Sequence, residues 1–344
     1  MRDFCRLLGE ALTAQGADYT LEHVGWDEVG WLRALGQLWR KSATWKEQWI
    51  LAQYTALSWS RHGFSLLFLL VLLVLRIRKA RIAVIFHDRA PYKGKRWVDK
   101  VKGTCHFVVM RASYWMSERS IHNVPLEDVS WLAPKHPKAT FIPVGANVPS
   151  IVAPVGTLQK SRQVRTITVF GITGEGNVGD EVSDIVFAAK AAAERVPRLR
   201  LVTLGRGSLE SEAKFRQAID GSPVEYHALG VLSDREVSQA LADSDLSLFV
   251  RGPISTQRGS AIASIACGLP VVAYAHPRLP APLAEAGIVG VRCADLRALA
   301  EATVLVLTDD QLRCELRERS RRAHERYFCW EIVAAHYLAV LSDA

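Results

Sequence analysis

Six short apolar runs recur between residues 167 and 292, each followed by a segment of helical character, and this alternation constrains the fold of the 344-residue chain more than any other feature. The runs are ITVFG (167–171), RLVTLG (200–205), VEYHAL (224–229), DLSLFV (245–250), LPVVAY (269–274) and IVGVR (288–292). Between them lie helical stretches near 180–196, 208–219, 234–242 and 259–267, and helices are expected to fill most of 295–342. Ser233-Asp-Arg-Glu236 reads as a capping box that opens one of them. Strands separated by helices form βαβ units, so the second half is read as a doubly wound α/β domain on a parallel sheet. Ligands in such domains sit at the carboxyl ends of the strands, where the strand order reverses.

The first half is less regular. Residues 3–16 are expected to be a helix, DYTLEHV (18–24) a short strand and WILAQYT (49–55) a buried strand. FSLLFLLVLLVL (64–75) is a twelve-residue apolar run, too short for a bilayer span of about 20 residues, and reads as a buried or interfacial helix. RIAVIF (81–86) is a strand ending on His87-Asp88, with further strands expected at HFVVM (106–110) and ATFI (139–142). The Trp-rich residues 26–48 carry no assignable pattern. Residues 151–164 read as a linker between a domain at 1–150 and a second at 165–326, with a last helix at 327–344.

The formal charge is +8, which favours phosphate-bearing partners. Arg76, Arg78, Lys79 and Arg81, then Lys93, Lys95, Arg96, Lys100 and Lys102, follow the apolar helix, a pairing that can rest on an anionic membrane surface through 64–102; a core helix followed by a solvated loop is the other reading. The six cysteines form no CxxC pair and no zinc-ligand spacing with histidine, which points to reduced thiols and the cytosol. Residues 1–20 have no secretory pattern. HExxH and GxSxG are absent, so metalloprotease and serine hydrolase readings have no support; aromatic RNA-binding strings are absent too, and nucleic-acid binding, which is not expected, rests on charge alone.

Three loops can carry chemistry. Gly174-Glu-Gly-Asn177-Val-Gly179 is a GxGxxG string between a strand and a helix, where backbone N–H groups can hold a diphosphate. An NAD(P) site would add an acid at the next strand end, but Leu204-Gly-Arg206-Gly stands there. A NAD(P)-dependent enzyme and a plain glycine turn remain as alternatives. Arg258-Gly259-Ser260 joins a cation, a hydroxyl and a helix start, which suits a phosphate; surface charge and a simple cap are the bland readings. His87 and Asp88 sit at a strand tip, where a histidine can orient a hydroxyl or act as a base, or merely serve the fold.

The run from Leu229 through Asp245 to Leu248, the string Ala266-Cys-Gly-Leu-Pro-Val-Val-Ala273 and the tail Arg326–His336 resemble family-4 (group 1) retaining glycosyltransferases of the GT-B fold. Ile85-Phe-His87-Asp88 and Phe141-Ile-Pro-Val-Gly145-Ala-Asn147 are similar to that family's strand-end His-Asp and its iPxGxN segment. The resemblance implies two Rossmann-like doubly wound domains facing a cleft, and transfer of a sugar from a nucleoside-diphosphate sugar, without metal or cofactor, to a polysaccharide or glycolipid acceptor at the cytoplasmic membrane face. It places Gly174, Asn177, Arg206, Arg258, Gly259 and Ser260 at the donor, His87 and Asp88 at the reacting sugar and acceptor, and Gly145 and Asn147 at the cleft. Arg258→Ala is then expected to abolish nucleotide binding without unfolding the chain. The sequence departs from the family in three respects. Ser255 and Ala263 stand where two glutamates are usual. The usual diphosphate Arg and Lys after the first strand of the second domain are replaced by Gly174–Gly179. The family's opening strand and glycine-rich loop have no counterpart before the first helix, so either Met1 is a late start or the first sheet is one strand short. A catalytically degenerate scaffold in polysaccharide assembly is therefore the alternative.

Overall fold

The computed structural model describes residues 2–151, 163–173 and 180–342. The chain divides into two compact units, Met1–Pro143 with Val333–Ala344, and Val144–Ile332.

In the first unit, β1 (Trp49–Tyr54), β2 (Arg81–Phe86), β3 (Arg119–His122) and β4 (Ala139–Phe141) form a parallel sheet in chain order. β2 is apolar along most of its length and buried from Ile82 to Phe86, as a strand covered on both faces must be. The helices Phe68–Ile77 and Trp97–Met116 connect β1 to β2 and β2 to β3. Leu72, Leu75, Val109 and Met110 close over Ile82 and Val84 to make the core. The C-terminal segment ties in through Trp49 Nε1, which donates to Leu341 O at 3.0 Å, and Arg119 Nε, which donates to Val340 O at 3.0 Å.

Two sequence expectations are corrected here. Residues 106–110 are helical, inside Trp97–Met116. The buried positions are His106, Val109, Met110, Ser113 and Tyr114, spaced i, i+3, i+4, i+7 and i+8. Exposed Phe107 and Val108 fill the gaps and disguise that period as a continuous apolar run. Residues 18–24 form no strand. Tyr19 instead folds back on the helix Arg2–Ala14, its hydroxyl donating to Cys5 O at 3.1 Å and its ring lying over Gly9, where a Cβ would come within 2.2 Å of it.

In the second unit, β5 (Arg165–Phe170), β6 (Leu199–Leu204), β7 (Val224–Ala228), β8 (Leu246–Phe249), β9 (Val271–Ala275) and β10 (Ile288–Arg292) form a parallel sheet ordered β10-β9-β8-β5-β6-β7. The order runs one way from β5 to β7 and the other from β8 to β10, so the switch point lies between the neighbours β5 and β8. The helices Glu181–Ala193 and Leu296–Thr308 pack together over one large core cluster. Leu241, Ala263, Cys267 and Leu269 belong to a second cluster. The capping box is present: Ser233 Oγ accepts from Glu236 N, and Glu236 Oε2 accepts from Ser233 N at 2.9 Å. The cysteines are all free; Cys5 and Cys267 are buried, Cys314 is exposed and the rest lie between. Among the described residues no helix is long and apolar enough to cross a membrane.

Candidate functional site

The carboxyl ends of β5 and β8 gather the chemistry of the second unit. After β5 the chain turns at Gly171, whose φ of 78° is the left-handed conformation that favours glycine. Gly171 N donates to Leu204 O at 2.7 Å and Ile172 N to Arg206 O at 2.8 Å, so the loop after β6 braces the loop after β5. Gly207 makes this contact possible: a Cβ there would fall 2.0 Å from Ile172 O. Thr173 donates through both N and Oγ1 to Glu181 Oε2, each at 2.9 Å. Glu181 is 2% exposed, and its other oxygen, Oε1, has no hydrogen-bond partner among the described residues. Asp180 caps the same helix, accepting from Val182 N at 3.2 Å and Ser183 Oγ at 2.7 Å, and the Ser183 bond holds its pKa below the usual carboxylate range.

From β8 comes Arg251. Its Nη2 donates to Ser260 Oγ and, at 3.4 Å, to Phe170 O, the last residue of β5. Burial lowers the pKa of its guanidinium, and the Glu181 charge works against that shift. Ser260 opens the helix Gly259–Ala266, with Arg258 at its N-cap. Asn147 lies alongside: a Cβ on Gly259 would sit 3.6 Å from its Oδ1. A cation, a hydroxyl and a helix N-terminus therefore meet at the switch point, an arrangement that attracts phosphate oxygens.

The structure brings Asn147, Gly259 and Ser260 together and places Arg258 beside them with its side chain exposed. Arg206 is also exposed, on the loop that braces Ile172. Gly145 serves packing: a Cβ there would come within 2.6 Å of the Trp330 ring, whose Nε1 donates to Ala146 O at 2.6 Å. Gly174 and Asn177 lie outside the described residues. Sequence reasoning began the Arg258 loop at Arg251 without giving that residue a role, and it missed Thr173 and Glu181. The signal for Arg251 was its position directly after DLSLFV, at the end of a central strand.

In the first unit, His87 directly follows β2 and lies within 2.8 Å of Gln53 Oε1, its ring edge-on to Phe4 at 5.0 Å. Burial pulls its pKa down to about 4, so it is neutral near pH 7 and suited to hydrogen bonding rather than to storing a proton. Asp88 Oδ2 accepts from Ala56 N at 2.9 Å and Oδ1 from Thr55 Oγ1 at 3.4 Å, so its carboxylate fixes the turn after β1. His122, 1% exposed, lies within 2.8 Å of Ser120 Oγ and stacks on Phe86 at 5.1 Å; burial brings its pKa to about 3.

Both histidines stay neutral in the fold and would protonate near pH 6.5 when unfolded. Their contribution is complete above pH 6.5 and is lost as pH falls from there toward 4, at about 1.4 kcal/mol per pH unit for each. Urea-unfolding midpoints should therefore drop between pH 7 and pH 5, and His122→Asn should flatten that fall. Equal pH slopes in wild type and variant would contradict this account.

The two parallel α/β units make the GT-B fold. The chain is similar, with a TM-score of 0.65 and 13% identity, to Anabaena HepE in complex with UDP and glucose, covering 99% of this chain and 96% of that one. It is likewise similar to sucrose-phosphate synthase from Thermosynechococcus elongatus, with a TM-score of 0.66 and 18% identity over 99% and 93%. Residues 168–309 match the family described as glycosyl transferases group 1. Over 146 residues the chain is 33% identical to the GDP-mannose-dependent alpha-(1-6)-phosphatidylinositol dimannoside mannosyltransferase of Mycobacterium tuberculosis H37Ra, covering 41% of this chain and 35% of that one. The chain thus matches about a third of the length of that curated relative.

Proposed function

We propose that this protein is a glycosyltransferase that moves a sugar from a nucleoside-diphosphate sugar to a polysaccharide or glycolipid acceptor at the cytoplasmic face of a membrane. The observation that carries the reading is the meeting of Arg251, Ser260 and the Gly259–Ala266 helix start at the switch point of a unit that matches group 1 glycosyl transferases. The donor diphosphate would lie against that helix start, with Arg251 and Arg258 supplying positive charge. As the glycosidic bond breaks, charge builds on the leaving diphosphate, and fixed cations and N–H groups lower that barrier. His87, neutral at pH 7, would hold a sugar or acceptor hydroxyl, and Asp88 would act by keeping the turn beside it in place. The loop Gly174–Gly179 with Asn177, and Arg206, would complete the donor contacts. No metal or resident cofactor is proposed, and retention of configuration is part of the proposal.

A second reading rests on Ala263, fully buried among Val148, Leu241 and Leu269 where a carboxylate is usual in the family. It makes the chain a nucleotide-binding scaffold that does not turn over.

The test is a thermal-shift panel with UDP, GDP, their sugars, NAD and NADPH, followed by transfer assays with the nucleotide that binds. A ligand at 100 times its Kd adds about 2.7 kcal/mol, which corresponds to roughly 5–10 °C if the second unit melts cooperatively. Binding with sugar transfer supports the enzyme, and binding without turnover on a panel of glycan and lipid acceptors supports the scaffold. A shift with NAD(P) alone would overturn both.

A further inference from the structure

We propose that the outer face of the helices Phe68–Ile77 and Trp97–Met116 is a docking surface for an anionic lipid bilayer. The inference deepens the membrane-face part of the proposed function and rests on it. β1, β2 and β3 follow in chain order, so right-handed crossovers place both helices on one face of the sheet, where they pack side by side.

Each helix buries one side and leaves a second apolar stripe in solvent. On the first, Leu70, Leu73 and Ile77, with Leu66 in the helical turn just before it, recur at steps of four, three and four and are 40–56% exposed. On the second, Trp97, Val101, Val108 and Trp115 fall within about 40° of one direction at 100° per residue. That stripe lies opposite the buried His106 and Ser113. Trp97 is 74% exposed and Trp115 is 64% exposed. The two tryptophans stand 18 residues apart, about 27 Å along the helix. Polar faces are the rule for helices that cover a sheet, and large apolar side chains repeated along an exposed helix face mark an interaction site.

Charge selects the occupant. Residues 61–117 contain twelve Lys or Arg against two acids. Lys93, Lys95, Arg96 and Lys100 cluster, exposed, around the start of the second helix. Such a surface repels a second copy of itself and complements anionic headgroups, each cation near the surface contributing about 1 kcal/mol. Tryptophan is the side chain that settles at the boundary between headgroups and acyl chains. The helices would lie in the plane of the interface, in keeping with the lack of a membrane-crossing helix among the described residues.

The test is flotation of the full chain with vesicles of phosphatidylcholine alone and with 30% phosphatidylglycerol. Wild type should float only with the anionic vesicles and be released by salt. The pair Trp97→Ser and Trp115→Ser should cut binding at least tenfold, and so should Lys93→Glu with Lys95→Glu and Lys100→Glu. All these side chains are exposed, so the melting temperature and nucleotide binding should not move; that separates failure of this surface from failure of the transferase reading. Equal binding by wild type and variants, no binding by wild type, or a wild-type dimer that the tryptophan changes dissociate would each overturn the proposal.

Discussion

Replacing Arg251 with alanine is expected to weaken nucleoside-diphosphate binding by roughly 10- to 150-fold, the equivalent of a charge-assisted hydrogen bond of about 1.5–3 kcal/mol. Arg251 is the cation that the fold holds in place: its guanidinium is pinned between Phe170 O at the end of β5 and Ser260 Oγ at the helix start. A pre-positioned fork loses little entropy on meeting a phosphate. Arg251→Lys keeps the charge but not the paired donors, and should fall between wild type and alanine. Because alanine also leaves the buried Glu181 without its neighbouring cation, the melting temperature must be followed alongside calorimetry. Arg258 is exposed, so Arg258→Ala tests the same site from its solvent side, and loss of binding is expected there too, with the melting temperature followed in the same way. Unchanged affinity in both variants would remove the switch point from the donor site.

The second unit was legible in the sequence because its inner strands β6, β8 and β9 are buried almost throughout, and its apolar runs stand between turn and cap signals. All six predicted strands exist, with no end shifted by more than two residues. The first unit was harder for a physical reason. Its helices carry apolar residues on their outer side as well, so the run His106–Met110 loses the 3.6-residue period that would mark it as helical. β3, Arg119–His122, is four residues long and holds Arg119, Ser120 and His122, so neither hydropathy nor alternation reveals it. In the site, Ser260 was readable from its place at a helix start, whereas the role of Arg251 depends on β5 and β8 being neighbours, a long-range fact no local motif carries. Asp88 shows the converse. Its motif reads as catalytic, and its oxygens are engaged by Ala56 N and Thr55 Oγ1.

Asp245→Ala is expected to destabilise the second unit by about 3–5 kcal/mol, the usual cost of stripping one partner from a buried ion pair. Asp245 is 2% exposed and accepts from Thr166 N at 2.9 Å, while Arg165 Nη1 lies 3.4 Å and Arg313 Nε 3.7 Å from its Oδ1. Arg313 is itself 6% exposed and donates to Val306 O and Leu307 O at 3.1 Å each. One carboxylate therefore joins the start of β8 to β5 and to the two helices that follow β10, and alanine would leave Arg165 and Arg313 with the exposed Asp310 as their remaining counter-charge. Asp310, whose pKa is held down by its hydrogen bond to Arg313, is too exposed to replace it. At about 2–4 °C per kcal/mol the melting temperature of that unit should fall by roughly 6–20 °C. Asp245→Asn keeps an acceptor for Thr166 N and should lose less. Pairing Asp245→Leu with Arg313→Met removes both charges and should recover part of the loss, since a buried pair exchanged for apolar groups is often near neutral. A fall below 2 °C for the alanine variant, or a double variant worse than the sum of its parts, would mean that packing around Asp245 and not its charge holds these elements together.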